Sequence, residues 1–367
     1  MKKLTLDNLD DLATGSAILG SGGGGDTTYA HMMAKYQMEK KDFVSLINFS
    51  ELKADDLILP IGIMGAPMAE VEKILNGDEF INLFENIEKS LNKKISVIMP
   101  FEIGGANAFI PLMVASQMGL PVLDADAMGR AFPEGQMNTC NLLGAAPSPG
   151  FVTDCLGNTV IIYSKNSGMM EKISRHVTVA MGSIAAFGFY PISGFQAEKC
   201  TLHKSISKAI AIGKAHRKAR EAGNDPLEAI LNLCKGIFIG SGKVMDIDRA
   251  ISRGFLNGTV TIHHKEDRME LAFQNEYLIA KRNGKIVATT PDILMLLEQD
   301  TGTPVTSESL QYGLKVNLIA LSAPNIWTTP AGLELVGPRH FGYEVDYQPI
   351  HKPKQTSHLI GTFTYGH

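Results

Sequence analysis

The sequence predicts an α/β fold, with a mostly parallel or mixed sheet and flanking helices, joined to a second, β-rich domain. Three observations lead to this prediction. In the first half of the chain, short apolar runs alternate with segments of helical periodicity, which is the pattern of β-α-β units. After residue 236, runs with strand-like alternation of apolar and polar residues predominate. With 367 residues, the chain is also long enough for more than one domain.

The first region begins with two helical patterns that flank a glycine-rich loop, and strands and helices then alternate. The predicted helices are 7–18, 27–41, 79–91 and 107–118, and the predicted strands are 43–47, 57–61, 95–99 and 122–123. A further unit follows, with a strand at 159–163 and helices at 168–181 and 205–221. Gly223 is a suitable residue to end the last of these helices, because glycine readily adopts the left-handed backbone conformation.

The β-rich region is predicted from four strand-like runs, at 237–245, 258–264, 270–280 and 285–289. Arg282-Asn283-Gly284 supplies a hairpin turn between the last two. We therefore predict an α/β domain at residues 1–235, a β-rich domain at 236–325 and a C-terminal segment at 326–367. The aromatic residues between Trp327 and Pro349 should be buried, so we expect this segment to pack against the first domain.

The composition limits the classes of partner. Apolar residues make up 44% and charged residues 20%, which is ordinary for a globular protein. The net charge of −4 argues against nucleic acid as a partner. The first residues show no signal-peptide pattern, no apolar run is suited to spanning a bilayer, and the four cysteines show no C-x-x-C spacing. We expect a cytoplasmic protein with reduced thiols, a small-molecule substrate and no membrane partner.

The segment 123–134 is the first candidate for chemistry. It directly follows an apolar run that is typical of a buried strand, and ligands bind beyond the carboxyl ends of such strands in open α/β sheets. Its charged residues are Asp124, Asp126, Arg130 and Glu134. Burying them is costly unless they pair with one another or serve a ligand. We regard these four as candidate catalytic groups; the alternative is a structural ion pair of Arg130 with Asp124 or Asp126.

The glycine-rich loop contains Gly22, Gly23, Gly24, Gly25 and Asp26. Consecutive glycines allow a backbone to approach a ligand closely, so we predict a substrate contact here. No Gly-Lys-Ser/Thr follows and no clear strand precedes the loop, so we expect no nucleotide cofactor. The alternative is a flexible turn with Asp26 as an ordinary helix N-cap.

Glu102 and Asn107 also follow a predicted strand. Glu102 could accept a hydrogen bond from a substrate N–H, and Asn107 could donate one to a carbonyl; the alternative for Asn107 is helix capping. We expect this segment, the glycine-rich loop and the acidic segment to converge on one cleft. The histidines form no helical metal-binding motif, although His340 lies in a turn of interest. The sequence leaves open a site for a divalent metal such as zinc, held by residues that are distant in sequence.

Taken together, these motifs resemble the S-methyl-thiohydantoin desulfurase family, which is associated with hydantoinase and oxoprolinase systems. The residues that carry the resemblance are Gly22 to Asp26, Glu102 to Asn107, Asp124 to Glu134 and Gly337 to Tyr343, the last of which includes Arg339 and His340. The resemblance covers nearly the whole chain, and the acidic segment is its most specific part. It adds Arg339 and His340 to the candidate substrate-binding residues.

The resemblance implies hydrolysis of a cyclic, isothiourea-like carbon, from which methanethiol leaves to give a hydantoin. In that reaction Asp124 or Asp126 would be the base, Glu134 the acid and Arg130 the group that stabilises charge; a metal-activated water is the other route. A different class of function also fits, namely a non-catalytic partner or small-molecule sensor of a hydantoinase-type enzyme. The chain could form homo-oligomers in either case.

Overall fold

The structure is a computed structural model that describes residues 1–65, 77–252 and 254–350. Its first sheet is mixed and has nine strands, in the order β1-β2-β5-β4-β3-β9-β7-β8, with β10 beside β3. Parallel pairing is confined to β2, β5, β4 and β3, and the remaining pairs are antiparallel. The strands are β1 (Lys2–Leu4), β2 (Val44–Ile47), β3 (Leu57–Gly65), β4 (Val97–Pro100), β5 (Val122–Leu123), β7 (Gly150–Thr153), β8 (Thr159–Ile162), β9 (Ile184–Gly188) and β10 (Ile192–Ser193).

Ten α-helices are described. They are α1 (Leu9–Leu19), α2 (Thr27–Met38), α3 (Asp78–Leu91), α4 (Ile110–Met118), α5 (Thr139–Leu142), α6 (Ser167–Ala180), α7 (Gly194–Cys200), α8 (Ser205–Glu221), α9 (Pro226–Cys234) and α10 (Pro330–Val336). The sheet is buried on both faces, because successive residues of a strand point to opposite sides: Leu59 belongs to one apolar cluster and Ile58 to the other. The predicted α/β arrangement is therefore confirmed, with a mixed sheet.

A short two-stranded ladder supports the acidic segment. Its strands are β6 (Ala125–Asp126) and β11 (Leu202–His203), which pair in antiparallel register. This pairing brings the start of α8 against Asp124 and Asp126. Helix α8 covers the residues predicted for it and ends before Gly223, whose φ of +69° confirms the expected left-handed position.

The second sheet has eight antiparallel strands in the order β16-β15-β14-β13-β12-β19-β17-β18. They are β12 (Ile237–Ser252), β13 (Phe255–His264), β14 (Asp267–Gln274), β15 (Glu276–Arg282), β16 (Lys285–Thr289), β17 (Ile293–Glu298), β18 (Pro304–Val305) and β19 (Lys315–Leu321). The predicted β-rich domain is confirmed, as is the turn at Asn283 and Gly284, both of which have positive φ. The single strand predicted at 270–280 is wrong, because Asn275, with a φ of +55°, separates β14 from β15.

Backbone hydrogen bonds join the two sheets through the start of the glycine-rich loop. The Tyr277 N–H donates to the Ser21 carbonyl (2.6 Å), and the Ser307 N–H donates to the Gly22 carbonyl (2.8 Å). The Ser21 hydroxyl donates to the Leu294 carbonyl at 2.9 Å. The loop therefore lies in the interface between the sheets.

Trp327, in the C-terminal segment, packs against the first domain, whereas Phe341, Tyr343 and Tyr347 are only half-buried; residues 351–367 lie outside the described residues. Trp327 is fully buried, and its indole N–H donates to the Met128 carbonyl at 2.7 Å. Its ring packs edge-on against Phe132, at 5.2 Å between centroids. Both contacts are with the acidic segment, so the C-terminal segment helps to hold that segment in place. None of the helices in the described ranges is both long and apolar enough to cross a membrane.

Candidate functional site

Three loops of the first domain meet at one cleft, which has a volume of about 90 Å³ and is partly open to solvent. The glycine-rich loop contributes Gly24 and Gly25, and the loop after β4 contributes Glu102 and Asn107. The acidic segment and its continuation contribute Met128, Phe132, Pro133 and Gly135, and the second sheet adds Asn275, Glu276 and Glu308. The predicted convergence of the three loops is thus found, at the junction with the second sheet.

Glu102 is a buried carboxyl group in the wall of this cleft. It follows β4 directly, and its Oε1 accepts a hydrogen bond from Asn107 Nδ2 at 2.7 Å. Asn107 is held in turn, because its Oδ1 accepts from the Ile63 N–H at 2.7 Å. Glu102 Oε2 has no hydrogen-bond partner among the described residues. Burial, and then the charge of Glu276, raise the pKa of Glu102 to about 8, so this group carries a proton at neutral pH.

Asp126 is buried below the cleft wall, and both of its oxygens are engaged. Oδ2 accepts from the backbone N–H groups of Ile103, Met128 and Gly129, at 3.0, 3.0 and 2.6 Å. Oδ1 accepts from the Ser205 hydroxyl at 2.5 Å. Burial raises the pKa of Asp126 to about 6, against the effect of these donors. Asp126 therefore joins the loop that carries Glu102 to the acidic segment and to α8.

The carboxylate of Asp124 binds the N-terminal turn of α8. Its carboxylate accepts from the backbone N–H of Ser207 at 3.0 Å and from the Ser207 hydroxyl at 2.6 Å. A negative charge at this end of a helix is favourable, because the free N–H groups there carry partial positive charge. Asp124 thus stabilises the start of α8.

Arg130 does not form the ion pair with Asp124 or Asp126 that the sequence left open as the alternative to a catalytic role. Its Nε donates to the Ala131 carbonyl, and its Nη1 donates to the carbonyls of Pro291 and Asp292, each at 2.8 Å. The pairing fails because donors of the first domain already bind both aspartates, whereas the guanidinium extends to the second sheet. Arg130 is completely buried, and its guanidinium lies 4.6 Å from the centre of the Phe132 ring. It therefore contributes positive charge close to the cleft and links the two sheets.

Glu134, His340 and Arg339 lie outside the cleft, closer to the protein surface. Glu134 is half-buried beside Pro133, accepts a hydrogen bond from Gln136 and lies 3.9 Å from His340 Nε2. His340 lowers the pKa of Glu134 and Glu134 raises that of His340, so each group favours the charged form of the other. Arg339 is exposed and binds Asp346 at 2.6 Å. These three residues are not among the described residues that line the cleft.

The glycine-rich loop approaches protein groups as well as the cleft. A Cβ at Gly22 would lie 2.4 Å from the Tyr277 ring, and one at Gly23 would lie 2.2 Å from Glu276 Oε1. Gly24 would meet the Gly104 carbonyl at 2.6 Å. Asp26 caps α2 by accepting from the Thr28 N–H at 2.7 Å. Glycine is therefore needed at these positions because the loop is compressed between the loop after β4 and the second sheet.

The cleft is lined by four further residues that the sequence did not predict, namely Arg175, Asn275, Glu276 and Glu308. The sequence does contain a signal for Asn275 and Glu276. The alternating strand pattern is interrupted there by three consecutive polar residues, Gln274-Asn275-Glu276. Burial, opposed first by the charge of Arg130, raises the pKa of Glu276 to about 8. Burial and the nearby Asp26 raise that of Glu308 to about 7. No group of three or more His, Cys, Asp or Glu residues that could hold a metal ion occurs within residues 1–65, 77–252 and 254–350.

Comparison with known proteins assigns the chain to a family. The model of the S-Me-THD-like N-terminal domain matches residues 7–164, and that of the S-Me-THD-like C-terminal domain matches residues 164–350. The chain belongs to the S-Me-THD-like family. A crystal structure of a protein from Chromobacterium violaceum is similar to it, with 23% identity, a TM-score of 0.81 and coverage of 96% of this chain and 100% of the other. This likeness shows a shared fold. No curated protein matches the chain.

Both family domains contribute to the cleft of this S-Me-THD-like protein. Glu102 and the glycine-rich loop belong to the region matched by the N-terminal model, whereas Arg175, Glu276 and Glu308 belong to the region matched by the C-terminal model. The arrangement places carboxyl groups whose pKa values burial raises towards neutrality beside a small open space. Such groups can donate a proton to a bound molecule or accept one from it.

Proposed function

We propose that this protein is a hydrolase of small cyclic amides and amidines, and that its reaction is the conversion of an S-methyl-thiohydantoin to a hydantoin with release of methanethiol. Membership of the S-Me-THD-like family supports this choice of substrate. The observation that carries the proposal is Glu102, a protonated carboxyl group with one fixed oxygen and one free oxygen in the wall of the cleft.

Glu102 is suited to the role of general acid. Asn107 holds Oε1, so the proton resides on Oε2, which is free to donate to a ring nitrogen. Protonation of that nitrogen withdraws electrons from the adjacent ring carbon and prepares it for attack by water. The backbone of Gly24 and Gly25 gives the ring close access to this wall of the cleft.

Thiol release tests the proposal. Purified protein is incubated with an S-methyl-thiohydantoin, and methanethiol is measured with a thiol-reactive dye. We expect turnover by the wild type and a loss of about two to four orders of magnitude in kcat for Glu102→Gln, since an amide cannot supply the proton. Glu85→Gln, an exposed position on α3, is the control and should retain wild-type activity.

The alternative function predicts a different result. A sensor subunit of a hydantoinase-type enzyme would bind the compound, measured by calorimetry, without releasing thiol. Binding without turnover by the wild type would therefore contradict the hydrolase proposal and favour the sensor. Neither binding nor turnover would contradict the proposed substrate class altogether.

A further inference from the structure

Glu276 lies between two residues, Asn275 and Tyr277, whose backbone N–H groups donate hydrogen bonds to different parts of the molecule. On one side, the Asn275 N–H donates to the Leu256 carbonyl (2.7 Å), and Asn275 Oδ1 accepts from the Leu256 N–H (2.8 Å). On the other side, the Tyr277 N–H donates to Ser21 of the first domain. The backbone of Glu276 is therefore fixed by both its own sheet and the glycine-rich loop.

The side chain of Glu276 is directed into the site. Its Oε1 lies against Gly23, which has no side chain to obstruct it. Its Oε2 is buried and has no hydrogen-bond partner among the described residues, although Glu276 lines the same cleft as Glu102. A buried carboxyl oxygen without a partner is costly for stability, so a purely structural role does not account for it.

An ion pair with Arg130 does not account for the buried position of Glu276 Oε2 either. The hydrogen bonds of Arg130 go to three backbone carbonyls, and within the described ranges no carboxylate oxygen lies within 4.0 Å of its guanidinium nitrogens. Arg130 acts on Glu276 through its charge at longer range. The free oxygen of Glu276 thus stays available to a molecule in the cleft.

We propose that Glu276, supplied by the second sheet, is a second catalytic carboxyl group, which acts as the general base on the attacking water while Glu102 acts as the acid. This inference rests on the function proposed above. It also explains why the site is built at the junction of two sheets, because acid and base come from different sheets and face one ring from two directions.

The charges around the two groups separate their roles. The positive charge of Arg130 is the main influence that lowers the pKa of Glu276, whereas the charge of Glu308 raises it. Ionised Glu276 in turn raises the pKa of Glu102. The charge of Arg130 thus favours the ionised form of Glu276, and the negative charge of Glu276 favours the protonated form of Glu102. Two carboxyl groups whose surroundings differ in this way form an acid–base pair.

The reaction balances without a further reactant. Glu102 gives its proton to the ring nitrogen, and water adds its oxygen to the ring carbon. Glu276 takes one proton of that water, and the other proton stays on the new hydroxyl group. The C–S bond then breaks with its electron pair on sulfur, and Glu276 returns the proton to form methanethiol. The new hydroxyl gives its proton to Glu102 as the carbonyl forms, so both carboxyl groups return to their initial states.

The test compares Glu276→Gln with Glu102→Gln in the full chain, by kcat, KM and the pH dependence of thiol release. Both variants should lose about two to four orders of magnitude in kcat with little change in KM. The acidic limb of the pH profile should be lost in Glu276→Gln and the alkaline limb in Glu102→Gln. The matched control is Glu270→Gln on the adjacent strand β14, where the carboxylate binds surface Arg268 at 2.6 Å.

A second variant separates catalysis from folding. In Glu276→Ala, added formate should restore thiol release in a concentration-dependent manner, because a small carboxylate can occupy the vacated position; a structural defect would not respond. A loss of less than tenfold in Glu276→Gln, a loss confined to KM, or no rescue by formate would overturn the role of Glu276 while the hydrolase proposal stands. Absence of thiol release by the wild type would instead overturn the hydrolase proposal, and the role of Glu276 with it.

Discussion

At the scale of single residues, Asp126 and Glu102 are both buried carboxyl groups, but their oxygens have different surroundings. Asp126 accepts hydrogen bonds from three backbone N–H groups and one hydroxyl, whereas Glu102 keeps one oxygen free. A general base needs an oxygen that can reach the proton it removes. The geometry therefore favours Asp126 as a residue that positions the loop of Glu102.

Replacing Asp126 with Asn should accordingly lower stability more than it lowers activity per folded molecule. An amide presents one acceptor oxygen in place of two, so at least one buried donor loses its partner, at a cost of about 1–3 kcal/mol in unfolding free energy. Urea unfolding and thiol release on the same preparation test this. Asp300→Asn, at an exposed position, should change neither. Wild-type stability together with complete loss of turnover would instead return Asp126 to a catalytic role.

At the scale of elements, the alternation of apolar and helical segments predicted most helices and strands of the first domain. The acidic segment and the loop after β4 were recognised because each follows a strand. Asn275, in contrast, breaks a strand that periodicity alone treats as continuous, and a left-handed residue leaves little trace in a hydrophobic pattern. The glycine-rich loop was recognised by composition, but the groups that approach it, Tyr277 and Glu276, are distant in sequence.

Gly23→Ala tests whether the loop must leave room for Glu276. The new methyl group would lie 2.2 Å from Glu276 Oε1, while the backbone at Gly23 is not in the left-handed region, so the effect is steric. We expect a loss of about 1–3 kcal/mol in stability, typical of overpacking, and a fall in kcat. Gly168→Ala, where the nearest atom lies 3.3 Å away, is the control. Unchanged kcat in Gly23→Ala would contradict this account.

The C-terminal segment is also an element whose role can be tested. Trp327→Ala removes a fully buried ring that packs on Phe132 and binds the Met128 carbonyl. Large-to-small changes of this kind cost about 3–5 kcal/mol, so the thermal midpoint should fall markedly. Tyr312→Ala, at a side chain that is 68% exposed, should have little effect. Equal midpoints for the two variants would show that the segment does not stabilise the first domain.

At the scale of the whole molecule, the site depends on contacts that the sequence does not reveal. Ser21 and Tyr277 lie 256 positions apart, yet they join the two sheets. Sequence patterns describe each domain separately, and they carry no information on how one sheet docks on the other. For that reason the three loops that the first domain contributes to the cleft could be predicted, whereas Glu276 and Glu308 could not.

The buried carboxyl groups at this junction make the unfolding free energy of the protein depend on pH. Burial raises the pKa of Glu102 and Glu276 from 4.5 to about 8 and that of Glu308 to about 7. The folded state thus holds these protons more tightly than the unfolded state does. Their contribution to stability is complete below pH 4.5 and is lost as the pH rises through the folded-state values. Surface carboxylates such as Asp267, whose pKa is lowered, act in a more acidic range.

We therefore predict that the unfolding free energy of the wild type falls between pH 5 and pH 8.5, and that Glu102→Gln reduces this fall, because glutamine has no proton to lose in that range. Urea unfolding at several pH values measures both slopes. The difference between the two proteins isolates Glu102, since the ion pair of His340 with Glu134 is common to both. Glu270→Gln should keep the wild-type slope. If the slopes of the wild type and Glu102→Gln were the same, Glu102 would be ionised throughout, and it could not serve as the acid of the proposed reaction.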